Sequence, residues 1–98
     1  EFSMSLHADE QFLAAVAAGA RKHWVTFDEA MTVFADARAI TAYDPDHSDD
    51  EDRFLTIGIS ADGRVLFVSH TDCGDSIRII SARKADKQER EEYVDGNR

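Results

Sequence analysis

The chain reads as a small α+β domain, with a small antiparallel sheet of three to four strands, two N-terminal helices and one C-terminal helix. Three observations predict this. Apolar residues recur at helical spacing from residue 9 to about 37. From residue 38 the pattern changes to alternation with period two, broken by turn-forming residues. A charged segment with cap spacing at its start closes the chain. Helices followed by a strand meander place the helices on one face of the sheet.

The first helix is expected over 9–23, where Phe12, Leu13, Val16, Ala17 and Ala20 form a stripe in an Ala-rich context. The second begins after Thr26, which stands three residues before Glu29, the spacing of a reciprocal capping box. Phe27, Ala30, Met31 and Phe34 then share a face, and the helix should end near Ala37. A strand is expected over 38–43. The loop Asp44 to Asp52 is turn chemistry throughout. In the next strand, Phe54 to Ser60, Leu55, Ile57 and Ile59 share a face. Asp62-Gly63 turns the chain into Arg64 to His70. There Leu66, Val68 and His70 take one face, and Val65 and Phe67 the other. Asp72 to Asp75 turns it again into Ile77 to Ala82, where Arg78 and Ile80 should point to one side and Ile77, Ile79 and Ser81 to the other. The last helix runs from about Asp86 to Val94, with Asp86 and Glu89 at cap spacing.

Composition narrows the function. The length of 98 residues suits one domain. Glu1-Phe2-Ser3 precedes Met4, and Glu-Phe is what a common restriction site encodes when read in frame, so the domain is expected over 4–98. Twenty acids against eleven bases give a net charge of −9, which argues against coating nucleic acid or an anionic membrane with the whole surface. Residues 43–53 hold six acids and one base, whereas residues 77–98 hold six bases and five acids and alone have a positive balance. A single cysteine, Cys73, excludes an internal disulfide. No apolar run approaches the ~20 residues of a membrane span, and no signal peptide is visible, so a cytoplasmic protein is expected. His7, His23, His47 and His70 are scattered without metal-ligand spacing, and no Gly-rich phosphate loop occurs.

The segment Ile77 to Lys84 carries most of the chemistry. A guanidinium inside a strand of branched apolar residues must find a partner or a ligand, because burying it alone is costly. Arg78 and Arg83, with Lys84, offer planar or point-charge donors to a phosphate. Equally, Arg78 could pair with an acid such as Asp72 or Glu51. His70, at a strand end beside these arginines, is either a general acid or base or a structural histidine. The acidic run 44–52 reads as a solvated turn. Trp24, Phe27 and Phe34 read as core or partner-facing.

Taken in order, Arg21-Lys22-His23-Trp24-Val25-Thr26-Phe27 with Glu29-Ala30, Asp44-Pro45-Asp46-His47-Ser48-Asp49, Arg53-Phe54, Thr56-Ile57-Gly58, Gly63-Arg64, His70-Thr71, and Ile77 to Ala85 with Glu89-Arg90 and Tyr93 resemble the BrnT family. These are toxins of type II toxin–antitoxin systems, and the resemblance spans about residues 20–94. It implies a RelE-like fold and a ribonuclease that stops translation by metal-free cleavage, with no cofactor. It also implies a BrnA-type antitoxin carrying a ribbon-helix-helix DNA-binding end, so that operator DNA is met only through the antitoxin. On matching positions, Arg53, Arg78 and Arg83 would stabilise the phosphate, and His70 would be an acid or base. Lys22, His23, Arg64 and Lys84 would contact RNA. The sequence departs from the family in three places. The usual first strand, of Phe-Glu-Trp-Asp type, has no counterpart read in Ser5 to Gln11. Trp24 stands where a Gly is usual, and the last helix is less Arg-rich than in relatives.

Two functions follow. One is an endoribonuclease toxin neutralised by its antitoxin, which the retained Arg53, His70, Arg78 and Arg83 favour. The other is a weak or inactive binding protein acting as corepressor, which the net charge and the muted last helix favour. A homodimer is compatible with either.

Overall fold

In a computed structural model of the chain, which describes residues 5–17 and 25–97, the domain is α+β with three α-helices and a five-stranded mixed sheet. The order along the chain is β1 (Ser5–Ala8), α1 (Glu10–Ala17), α2 (Phe27–Thr32), β2 (Ile40–Tyr43), β3 (Arg53–Ile59), β4 (Val65–Cys73), β5 (Ser76–Lys84) and α3 (Lys87–Gly96). Short 3-10 turns follow α2 (Val33–Ala35) and β2 (Pro45–His47). The sheet order is β1-β5-β4-β3-β2. Strands β2 to β5 form the antiparallel meander the alternation predicts, and β1 adds parallel to β5. The expected three to four strands are therefore five, and a strand precedes the helices. Ser5–Ala8 supplies the first strand, for which the sequence from Ser5 to Gln11 shows no pattern. Its pairing partner lies some seventy residues away, so no local signal announces it.

Local chemistry sets most boundaries. Gly63 takes φ +81° in the β3–β4 turn, where its amide bonds Ser60 O at 2.9 Å. Gly74 takes φ +63° between β4 and β5. Both conformations suit glycine because no Cβ opposes them. Asp86 and Glu89 form the complete capping box of α3. Thr26 Oγ1 accepts from the Glu29 amide at 3.0 Å, but the Glu29 side chain does not complete the box. It turns instead to Ser60 Oγ (2.7 Å) and Arg64 Nε (2.8 Å). The second helix is shorter than expected: Thr32 Oγ1 bonds Glu29 O at 2.6 Å and the chain tightens into the 3-10 turn before Ala37.

The main core lies between α1, α2 and one sheet face. Phe12, Val25, Ala30 and Val33 pack with Leu66, Val68, Ile77 and Ile79. The first helix contributes Phe12 alone to this cluster, while Leu13 and Val16 remain exposed. Ala20, the last residue of the predicted stripe, lies outside the described residues. Helix α3 crosses the other face, contrary to the expectation that all helices share one. Ile40, Ile57 and Phe67 are cross-strand neighbours on that second face. A side chain at Gly96 would run into Ile40 Cδ1, and Glu89 binds Arg83, which lies over the Phe67 ring.

Strand β5 does not alternate as predicted. Ser81 opposes Ser69 and Ile79 opposes His70, so Ile80 is an extra residue, a bulge. Beyond it the side chains change phase, which buries Ile79 and Ile80 alike.

Candidate functional site

The second sheet face is divided. Helix α3 covers the end bearing Ile40, Ile57 and Phe67. Strand register places a polar row at the other end: Arg53 on β3 opposes Thr71 on β4, Thr71 opposes Arg78 on β5, and Arg78 is level with His7 on β1. Neighbouring strands are about 4.8 Å apart, so the row spans roughly 15 Å, enough for two or three nucleotide phosphates. Leu6 and Ala8 pack towards the main core, which leaves His7 on the same outer face as Arg78.

Two atoms in this row have unmet hydrogen-bonding capacity. Thr71 is 2% exposed, and its hydroxyl has no partner among the described residues. Arg53 Nε is buried and likewise without a partner among the described residues. Orphaned buried polar groups are rare in native proteins, and each calls for a water, an ion or a ligand to meet it. Arg78 is held by carboxylates: its Nε donates to Asp9 Oδ1 at 2.7 Å, and its Nη2 to Glu51 Oε1 at 2.7 Å and Oε2 at 2.5 Å. Of the two acids the sequence offered, Glu51 is the partner. Asp72 is not, and Asp9 is added. The Gln11 amide, with help from Arg78, holds the Asp9 carboxyl below its ordinary value, while Glu51 and Asp9 raise that of Arg78. Glu51 belongs to the acidic loop, which reads only in part as a solvated turn. Asp44 is buried, 2.9 Å from His47 Nδ1, and an open depression of about 240 Å³ is lined by Asp46, His47, Asp49, Asp50, Glu51 and Arg53.

The other residues singled out in the sequence lie elsewhere. His70 is on the helix-covered face and 1% exposed, between Phe34 (centroids 4.9 Å) and Phe54 (6.0 Å). Its Nδ1 lies 2.7 Å from Asp72 Oδ1 and its Nε2 2.7 Å from Thr56 Oγ1. A carboxylate only accepts, so Nδ1 carries the proton and Nε2 accepts from Thr56, whose oxygen accepts in turn from Thr41 at 2.8 Å. Burial lowers the His70 pKa from its usual value, against the pull of Asp72. Arg83 shares the outer face but stands two rows away, roughly 13 Å along the strands. It makes a two-pronged bond to Glu89 at 2.8 Å and lies 4.3 Å over the Phe67 ring. Arg64 clamps α2 to the β3–β4 turn through Glu29. Lys84 opposes Leu66, on the side of the sheet away from Arg53 and Arg78. Lys22 and His23, like Trp24, lie outside the described residues.

The structure therefore joins Arg53 to Arg78 and adds Thr71, His7 and Asp9, which sequence reasoning gave no role. Only strand register could have found Thr71, and only recognition of β1 could have found His7 and Asp9. Among the described residues no group of three or more His, Cys, Asp or Glu is arranged to hold a metal, and no helix is long and apolar enough to cross a membrane.

No curated protein matches the chain. A family model described as the ribonuclease toxin BrnT of type II toxin–antitoxin systems matches residues 15–89, which span α2, β2 to β5 and the start of α3, and with them Arg53, Thr71 and Arg78. With three quarters of its length inside that match, the chain belongs to the BrnT family of ribonuclease toxins of type II toxin–antitoxin systems.

Proposed function

We propose that this toxin cleaves RNA without a metal on the half of the outer sheet face that α3 leaves uncovered, where Arg53, Thr71 and Arg78 hold the scissile phosphate. The observation that carries the reading is the pair of unmet buried donors, Arg53 Nε and the Thr71 hydroxyl, beside a guanidinium on the same row. Arg78 already holds two anionic groups, Asp9 through Nε and Glu51 through Nη2, which supports an anionic ligand such as a phosphate. In such a reaction the 2′-oxygen attacks the adjacent phosphorus, and fixed cations stabilise the charge gathering on the phosphoryl oxygens. His70, with both nitrogens bonded inside the core, sets the position of β4 relative to β3. Arg83 bounds the far end of the face and secures α3.

The partner that neutralises the toxin is a BrnA-type antitoxin, through which the complex reaches operator DNA. A second reading, a weak or inactive corepressor, draws support from the two carboxylates already on Arg78. Inducible expression in bacteria separates the two. Growth arrest that a co-expressed downstream antitoxin gene reverses supports the toxin. Loss of arrest in Arg53→Ala and in Arg78→Lys, each with an unchanged melting curve, supports the site. Folded variants that still arrest growth would overturn the site, and healthy growth with soluble unaltered protein would favour the corepressor.

A further inference from the structure

We propose that His7 is the proton-transfer residue of this ribonuclease, an inference that rests on the phosphate site just described. A site built of guanidinium and hydroxyl groups can bind and stabilise a phosphate, but neither group exchanges a proton readily near neutral pH. Imidazole is the side chain best suited to that task. Three of the four histidines can be followed to their places. His70 is sealed in the core with both nitrogens bonded. His47 sits on the 3-10 turn after β2, with Nδ1 on Asp44. His23 lies outside the described residues. His7 is exposed, has no hydrogen bond or ion pair among the described residues, and is level with Arg78 on the neighbouring strand. The carboxylates nearby are less suited. Asp9 and Glu51 both already hold Arg78 in ion pairs, and hydrogen bonds from the Gln11 amide and Arg78 keep the Asp9 carboxyl below its ordinary value. Among the described residues, register and hydrogen bonding bring the charged groups Arg78, Asp9, Glu51 and Arg53 to this row.

The reaction balances with one imidazole. Unprotonated His7 takes the proton of the 2′-hydroxyl, and the 2′-oxygen forms a bond to phosphorus. The bond from phosphorus to the 5′-oxygen breaks, and the imidazolium returns its proton to that oxygen. The products are a 2′,3′-cyclic phosphate and a 5′-hydroxyl, with no proton gained or lost.

The test is the cleavage rate of a labelled single-stranded RNA of mixed sequence from pH 5.5 to 8.5, with bacterial ribosomes in every reaction. Binding of the same RNA with 2′-deoxy linkages is measured alongside. The full chain is compared with His7→Gln and Arg78→Lys. Expected for His7→Gln is a loss of about 100-fold in kcat, with KM and 2′-deoxy RNA binding within about threefold, and loss of the low-pH limb that the unaltered protein shows. A His7→Gln protein that keeps both the rate and the limb overturns the assignment, and if Arg78→Lys is then impaired the phosphate site itself stands. If Arg78→Lys binds and cleaves normally, the phosphate site fails and the His7 assignment fails with it. Absence of cleavage by the unaltered protein contradicts both.

Discussion

Arg64 was expected to touch RNA, but it is bound to Glu29, so its removal should act on stability. The Glu29 side chain is 7% exposed and receives Arg64 Nε at 2.8 Å, Arg64 Nη2 on its other oxygen, and Ser60 Oγ at 2.7 Å. Arg64 chiefly holds the Glu29 carboxyl below its ordinary value, with help from Ser60. Arg64→Ala leaves a buried carboxylate with a single hydroxyl. Breaking a fully buried pair costs about 3–5 kcal/mol. Arg64 is itself 36% exposed, so water can reach part of the gap, and about 2–3 kcal/mol is the appropriate figure. For a domain of this size that lowers Tm by roughly 10–20 °C. Urea unfolding followed by circular dichroism measures it, in the unaltered background and in Glu29→Gln. Neutralising Glu29 removes the charge that needs a partner, so the Arg64→Ala penalty should shrink to under about 1 kcal/mol there. At a temperature where the variant is folded, its RNA cleavage should stay within about threefold of the unaltered protein. A penalty below about 0.5 kcal/mol, or the same penalty in both backgrounds, would refute the reasoning.

Two further outcomes follow from the packing. Because burial lowers the His70 pKa in the folded state, the unfolded chain takes up a proton near pH 6.5 that the folded chain resists. Stability is full above that pH and falls as pH drops below it, by up to about 1.4 kcal/mol per pH unit. Urea midpoints at pH 7.5 and 5.5 should differ less in His70→Gln than in the unaltered protein, and equal differences would contradict the assigned burial and hydrogen bonding. Gly58→Ala places a Cβ 2.9 Å from Val33 Cγ1 and 3.0 Å from Ala39 Cβ, neither on a flexible side chain. The expected loss is about 1–3 kcal/mol, read as a lowered Tm; an unchanged Tm would mean that the turn after α2 is free to shift.

Signals local in the chain could be read from sequence: the β3–β4 turn at Gly63, the capping box of α3, and the alternation of β3 and β4. Signals that depend on distant partners could not. The first strand has four residues and pairs only with β5. Glu29 fits a capping box by spacing, but Arg64 and the buried Ser60 bind its carboxylate instead. The bulge at Ile80 reversed the predicted phase of the C-terminal half of β5. Arg53 and Arg78 could be picked out by residue type. Their common row with Thr71 and His7 could not, because it is a property of strand register. By sequence His70 is a strand-end histidine near arginines, but adjacent residues on a strand face opposite ways, and it points into the main core while Thr71 points to the outer face.

The most direct test of the phosphate site is an amide chemical-shift titration of the folded protein with a short 2′-deoxy-substituted RNA that binds but is not cleaved. Expected are the largest shifts at His7, Arg53, Thr71 and Arg78, with little change at Arg64 and Lys84. Shifts centred on Arg64 and Lys84 instead, or saturable binding that leaves the row unmoved, would contradict the site.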